Sequence, residues 1–140
     1  MPRRHGFTLP ELVVALAVLG VLLGFALRGA AHAADAELVR GAAAEVRAAF
    51  ALARGLAVRR AERAAVGLDT AAASVVVHQR GDTVLRRSLG LLYRVRIAAT
   101  RDSAAYGATG VGYGGSNLRV LVRRGAAAET VVVSRLGRVR

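Results

Sequence analysis

Residues 3–28 read RRHGFTLPELVVALAVLGVLLGFALR, and this stretch decides how the chain is organised. Between Phe7 and Leu27 the only ionisable side chain belongs to Glu11. As a helix that rises about 1.5 Å per residue, the 21 residues from 7 to 27 would extend about 31 Å, which matches the hydrocarbon core of a bilayer. Two arginines precede the segment and Arg28 closes it. The segment therefore has the length and the charged borders of a membrane helix.

Three interpretations of this apolar segment compete. A buried core helix rarely carries apolar residues on every face over such a length. A secretory signal peptide would use the basic start and the small residues Ala31-His32-Ala33 as its cleavage site, but the apolar stretch exceeds the usual length of about 7–15 residues and contains an acid. The third interpretation is a membrane helix behind a short basic leader. Positive charge before the span then predicts a cytoplasmic N-terminus.

The composition narrows the classes of function. All 21 basic residues are arginines, and with nine acids they give a formal net charge of +12, which attracts polyanions or anionic lipid headgroups. Cysteine is absent, which excludes disulfides, thiolate metal sites and cysteine nucleophiles. Aromatic residues make up only 4% of the 140, so any core must be aliphatic.

After Arg28 the sequence predicts that the helix continues with a single apolar face. Glu37 is placed to pair with Arg40 three residues on, and arginines recur on another face. We therefore expect a membrane half at residues 7–28 and an amphipathic half at residues 29–64. The apolar face repeats at steps of three and four residues: Val39, Ala42, Val46, Ala49, Phe50, Ala53 and Ala57.

From about residue 65 the apolar period changes to two, which is typical of β-strands. Gly81-Asp82 is the predicted turn of a hairpin. The resulting fold class is α+β, with a long N-terminal helix packed on an antiparallel β-sheet domain at residues 65–140. The predicted strands are residues 65–68, 74–78, 83–89, 93–98, 118–123 and 130–135.

The residues 6–11, GFTLPE, followed by the apolar run, resemble the class III signal of type IV pilins and type II secretion pseudopilins. The resemblance implies that residues 1–6 are a leader, that a prepilin peptidase cuts after Gly6, and that the new N-terminus at Phe7 is methylated. It also implies that Glu11 pairs with the Phe7 amine of a neighbouring subunit during filament assembly. An unpaired acid in hydrocarbon costs roughly 2–3 kcal/mol or more, which favours a functional role. The competing interpretation leaves Glu11 in the headgroup zone.

The ending of the chain, VVVSRLGRVR at residues 131–140, resembles the C-terminal signature of the GspH/FimT branch of pseudopilins and minor pilins. That resemblance implies a minor pseudopilin of type II secretion, a structural subunit for protein secretion across the outer membrane. The implied location is the bacterial inner membrane, single-pass, with the C-terminal domain periplasmic. The implied partners are the prepilin peptidase, other pilin or pseudopilin subunits, and secreted cargo.

The alternative is a FimT-like type IV minor pilin that binds DNA for uptake in natural transformation. Arginine clusters suit phosphate groups, and the tail residues Arg135, Arg138 and Arg140 would make the contacts.

No catalytic, cofactor or metal site is predicted. Residues 110–115, GVGYGG, match the dinucleotide glycine pattern in form, but a strand rather than a helix is expected to follow, so residues 106–117 are interpreted as a flexible loop. The histidines at 5, 32 and 78 lack a second ligand at metal-binding spacing, and no serine lies in a nucleophile elbow. We therefore expect a structural subunit rather than an enzyme.

Overall fold

The structure, a computed structural model, describes residues 8–113, 117–134 and 136–140. The chain divides into two compact units, Met1–Ala34 and Asp35–Arg140. The first unit holds the N-terminal part of a long helix, and the second holds the remainder of that helix with both β-sheets. The α+β class predicted from the sequence is confirmed.

Helix α1 runs over Leu9–Arg60, which is four residues shorter at its C-terminus than predicted. The helix ends there because Ala61 takes a left-handed conformation with φ of 50°. The N–H of Ala61 donates to the carbonyl of Val58, and the N–H of Glu62 donates to the carbonyl of Ala57. This pair of bonds is a Schellman motif, which satisfies carbonyls that the last turn would leave unpaired.

Within the second unit, the predicted apolar face of α1 forms one side of the core. Every residue of the predicted stripe is buried, and Ala43 and Leu56 join it. Phe50 is fully buried and is the largest side chain that the helix contributes. The core is aliphatic apart from Phe50 and Tyr106, as the composition requires.

Two antiparallel sheets cover this face of the helix. The first has five strands in the order β3-β2-β1-β5-β6, and the second has three in the order β4-β7-β8. A short helix, α2, connects β3 to β4. The elements after α1 are β1 Ala64–Asp69, β2 Ser74–Gln79, β3 Asp82–Ser88, α2 Leu89–Tyr93, β4 Arg96–Ala99, β5 Ser103–Tyr106, β6 Gly112–Tyr113, β7 Leu118–Arg124 and β8 Ala127–Val133.

Several local features differ from the predictions, among them the strand predicted at residues 93–98, which begins only at Arg96 as β4. The β2–β3 hairpin turns at Arg80 and Gly81, which both have positive φ (57° and 90°), one residue before the predicted pair. Residues 89–93 form α2, although strands were predicted to end at residue 89 and to begin at residue 93. In this helix Leu89 is buried, whereas Leu91 and Leu92 are exposed. Strands β5 and β6 were not predicted, and they lie in alanine- and glycine-rich sequence with weak strand propensity. Strand β8 starts three residues earlier than expected.

Candidate assembly segment and basic sheet face

The apolar segment, residues 9–27, is exposed along its whole length in the described part of the first unit. Each of its large apolar side chains is at least 53% exposed, and Phe25 is 70% exposed. Helix α1 is long and apolar enough to cross a membrane, by length and composition. Because soluble monomers rarely expose contiguous apolar surfaces of this size, the segment requires lipid or partner helices around it.

Glu11 lies in the first turn of this helix, where the structure gives it a local contact. Its carboxylate Oε2 lies 3.4 Å from the backbone nitrogen of Thr8 and 3.5 Å from the Thr8 hydroxyl. Thr8 occupies the N-cap position, and the spacing Thr-x-x-Glu is that of a capping box. Both distances are long for hydrogen bonds, so the carboxylate is weakly held and its charge is uncompensated within the described residues.

Pro10 also fits the first turn, since the N–H that it lacks would have no partner inside the helix. Gly6 and Phe7, the predicted cleavage and methylation positions, lie outside the described residues. Their roles stay predictions.

The C-terminal tail, described at Ser134 and at residues 136–140, returns along β8. The N–H of Val132 donates to the carbonyl of Arg140 and the N–H of Arg140 donates back to Val132, both at 2.9 Å. At the bend, the backbone N–H of Ser134 donates to the carbonyl of Arg138 at 2.8 Å. Val139 bridges to Val133 and packs against the core. The tail therefore adds a short antiparallel segment to the free edge of the three-stranded sheet.

Gly137 makes this bend possible. Its φ is 75°, and a Cβ at this position would lie 2.6 Å from Cε1 of Tyr106 and 3.1 Å from the carbonyl oxygen of Gly110. Tyr106 is itself 1% exposed, and burial raises the pKa of its phenol. The glycine of the C-terminal signature thus has a packing function that does not depend on any ligand.

The outward side of the three-stranded sheet and the tail carries five exposed arginines, which we call the basic sheet face. In β7, Arg119 and Arg123 alternate with the buried Val120 and Val122, so they point away from the core. Arg123 lies opposite Arg96 of β4. Arg119 lies opposite Val132 of β8, and Val132 in turn lies opposite Arg140 of the tail. The basic sheet face consists of Arg96, Arg119, Arg123, Arg138 and Arg140.

The structure brings two of the three predicted tail arginines to this face. Arg138 and Arg140 are exposed there, whereas Arg135 lies outside the described residues. The predicted contact residues were limited to the tail, whereas β4 and β7 also contribute arginines to this face, and the alternation of Arg119 and Arg123 with valines is the signal that places them there. A shallow groove of about 390 Å³ lies beside the two tail arginines, with the exposed Leu136 at its border.

Five arginines outside this face form ion pairs with acids. Arg124 Nε lies 2.6 Å from Asp35, and Arg47 lies 2.5 Å from Glu129. Ion pairs also join Arg87 to Glu45 at 3.4 Å, Arg40 to Glu37, and Arg80 to Glu62. The hydrogen bond from Arg80 lowers the pKa of Glu62 below its usual value. No ion pair reaches the basic sheet face within residues 8–113, 117–134 and 136–140.

The glycine-rich stretch after Tyr106 is not a phosphate-binding loop followed by a helix. Gly112 and Tyr113 pair with β5, and strand β7 follows at Leu118. Gly110, with φ of 74°, lies against Arg54 and Val58 of α1. In the described part of the chain, no group of three or more His, Cys, Asp and Glu side chains is placed to hold a metal ion.

Comparison with known proteins agrees with this geometry. Residues 1–27 match the family described as the prokaryotic N-terminal methylation motif. Two crystal structures of the type IV minor pilin FimU from Pseudomonas aeruginosa strain PAO1 match with a TM-score of 0.60 each. One is 14% identical, with 73% of this chain and 86% of that chain covered; the other is 12% identical, with 72% and 90% covered. No curated protein sequence matches the chain.

The chain therefore shares the fold of a type IV minor pilin, and its N-terminal 27 residues carry a prokaryotic methylation motif. Both findings agree with the pilin-like fold and the N-terminal signal that residues 6–11 predict.

Proposed function

We propose that the chain is a minor pseudopilin, a structural subunit of the type II secretion pseudopilus that supports protein secretion across the outer membrane. Its mechanism is assembly and not catalysis. The observation that carries the proposal is the exposed apolar segment, which lies within the matched methylation motif and holds a single acid at its start. Such a segment is suited first to a bilayer and then to the helices of neighbouring subunits.

Processing precedes assembly in this proposal. The prepilin peptidase cuts between Gly6 and Phe7 and methylates Phe7, while the apolar segment holds the chain in the inner membrane. The basic leader stays cytoplasmic and the β-rich domain is periplasmic, in line with the positive-inside rule. Secreted cargo and other pseudopilin subunits are then the partners of the periplasmic domain.

Glu11 selects the register of assembly. Among the residues that the structure describes, its carboxylate contacts only Thr8, at two long distances. In the filament it pairs with the N-terminal amine of Phe7 on a neighbouring subunit. Leaving one member of such a pair without its partner in a low-dielectric environment costs about 3–5 kcal/mol, so the wrong register is strongly disfavoured.

Two variants of Glu11 separate this role from helix capping. Glu11→Gln keeps an oxygen that can accept from Thr8 but removes the charge, whereas Glu11→Ala removes both. If the charge drives assembly, both variants lose cross-linking to partner subunits by about 100-fold, the equivalent of roughly 3 kcal/mol. Glu37→Gln, which removes an exposed acid paired with Arg40, is the matched control and should cross-link normally. Normal cross-linking in Glu11→Gln would mean that only the capping contact matters.

A second function, DNA binding by a type IV minor pilin, is favoured by the basic sheet face. Its five arginines have no carboxylate partner in the described residues, and phosphate backbones bind such clusters without base contacts. Neutralising Arg138 and Arg140 together should weaken binding of duplex DNA and reduce the salt slope by up to about two units. The same change at Arg40 and Arg80, which are paired with acids, should leave the slope nearly unchanged. Equal effects of the two double variants would remove this alternative.

A further inference from the structure

Helix α2 presents two leucines to solvent. Leu91 is 84% exposed, which makes it the most exposed large apolar side chain in the described residues, and Leu92 is 62% exposed. Adjacent leucines exposed to this extent mark a surface that meets an apolar environment in some state of the protein.

The two leucines are held outward by a rigid support. On one side Leu89 is fully buried, and the N–H of Gly90 donates to the carbonyl of Ala73 at 3.0 Å. On the other side Val95 is 4% exposed, and Arg94 takes a left-handed conformation with φ of 52°. Because both flanks are anchored in the core, Leu91 and Leu92 cannot fold back against their own domain.

The elements that adjoin α2 along the chain carry positive charge. Arg86, Arg94 and Arg96 are exposed on the adjoining elements, and none is within ion-pair distance of a carboxylate among the residues that the structure describes. Arg87 contacts Glu45 at 3.4 Å but remains half-exposed. Exposed leucines on an element flanked by arginines suit the boundary between acyl chains and anionic headgroups.

Within the second unit, α2 lies at the end where α1 enters. The ring of Tyr93 packs against Gly41, where a Cβ would lie 2.9 Å from Cε1 of the tyrosine. Arg124 donates to the carbonyl of Tyr93 at 2.8 Å and pairs with Asp35, the first residue of this unit. The leucines therefore share an end of the domain with the part of α1 that is connected to the apolar segment.

We propose that Leu91 and Leu92, with Arg86, Arg94 and Arg96 on the adjoining elements, dock the second unit onto the surface of an anionic phospholipid membrane before the subunit enters a filament. This inference rests on membrane anchoring by the apolar segment. Docking holds the domain at the bilayer, so that assembly requires its release. The arginines supply the preference for anionic lipid, and the leucines supply the insertion.

The absence of cysteine permits a direct test on the full chain. A polarity-sensitive fluorophore is attached at Leu92→Cys, and at Thr109→Cys in a second sample as the control. Thr109 is exposed in the turn next to Gly110, which lies against the C-terminal part of α1. Both samples are reconstituted into vesicles of phosphatidylcholine alone or of a phosphatidylcholine–phosphatidylglycerol mixture, with spin-labelled lipid as quencher.

We expect the probe at 92, but not the probe at 109, to be quenched by the spin-labelled lipid, and more strongly in the anionic vesicles. Adding Arg94→Asn, which tolerates the left-handed conformation, should lower the ratio of docked to free domain about fivefold, the equivalent of about 1 kcal/mol per arginine. Arg59→Gln, in the last turn of α1, is the matched arginine control and should leave the ratio unchanged. Leu91→Ser should lower quenching in both lipids.

Three results would overturn the inference, and each is distinguishable. An unquenched probe at 92 on a chain that floats with the vesicles rejects docking and leaves anchoring intact. A chain that does not float with vesicles rejects anchoring and docking together. A probe at 92 that moves to an apolar environment only as the protein-to-lipid ratio rises, without quenching by lipid, identifies a second copy of the chain as the occupant instead.

Discussion

Replacing Gly137 by alanine tests how the C-terminal tail is held. The left-handed φ of 75° costs an L-residue about 1–2 kcal/mol. The new Cβ would also lie 2.6 Å from Cε1 of the buried Tyr106, and overpacking of this kind costs about 1–3 kcal/mol. The expected loss in the free energy of unfolding is therefore roughly 2–5 kcal/mol.

Gly81→Ala is the matched control, because Gly81 also has a positive φ (90°) but nothing lies within 4 Å of its added Cβ. That variant should lose only the backbone part, about 1–2 kcal/mol. The assay is urea unfolding of the full chain in detergent micelles, followed by tyrosine fluorescence and far-UV circular dichroism, with the m-value checked for constancy. Equal losses in the two variants would refute the packing of Gly137 on Tyr106.

A second test uses Tyr106→Phe, which should leave stability unchanged or raise it by up to about 1 kcal/mol, because the hydroxyl is buried and has no hydrogen-bond partner in the described residues. Since the pKa of Tyr106 is raised by burial, the wild type should lose stability as the pH rises above about 10, and urea midpoints should show that this step is smaller in the variant. Glu62→Gln should lower stability near neutral pH, and the difference from wild type should disappear as the pH falls below about 4, through the lowered pKa of Glu62. Arg124→Gln should cost about 1–3 kcal/mol by the same assay, since it removes the 2.6 Å contact to Asp35, and Asp35→Asn should add little to it.

The long helix and its buried face could be predicted because their signal is local. A step of three and four residues marks the stripe that includes Val46 and Phe50, and all of it is buried. Glu11 in the apolar segment and Gly6 before it could also be identified from the sequence, because the motif at residues 6–11 is local. The alternation of charge and valine in β7 predicted that strand to within one residue.

The remaining features depend on contacts between distant residues. Nothing near Gly137 indicates that its partner is Tyr106, 31 residues earlier. The basic sheet face forms only when β4, β7 and the tail become neighbours, which requires the strand order. Helix α2 was not predicted between the strands at residues 83–89 and 93–98, because it depends on the burial of Leu89 and on the bond from Gly90 to Ala73. Tertiary contacts of this kind overrule propensity in short segments.

The most direct test of the account is the intact mass of the mature protein in the membrane fraction, with its N-terminus sequenced. The account predicts cleavage between Gly6 and Phe7, which leaves 134 of the 140 residues and a methylated phenylalanine at the N-terminus. Gly6→Leu should block this processing and leave the chain in the membrane with its leader attached. A mature form that begins at Ala34, or a wild-type chain that keeps Met1–Gly6 in the presence of active prepilin peptidase, would contradict the account.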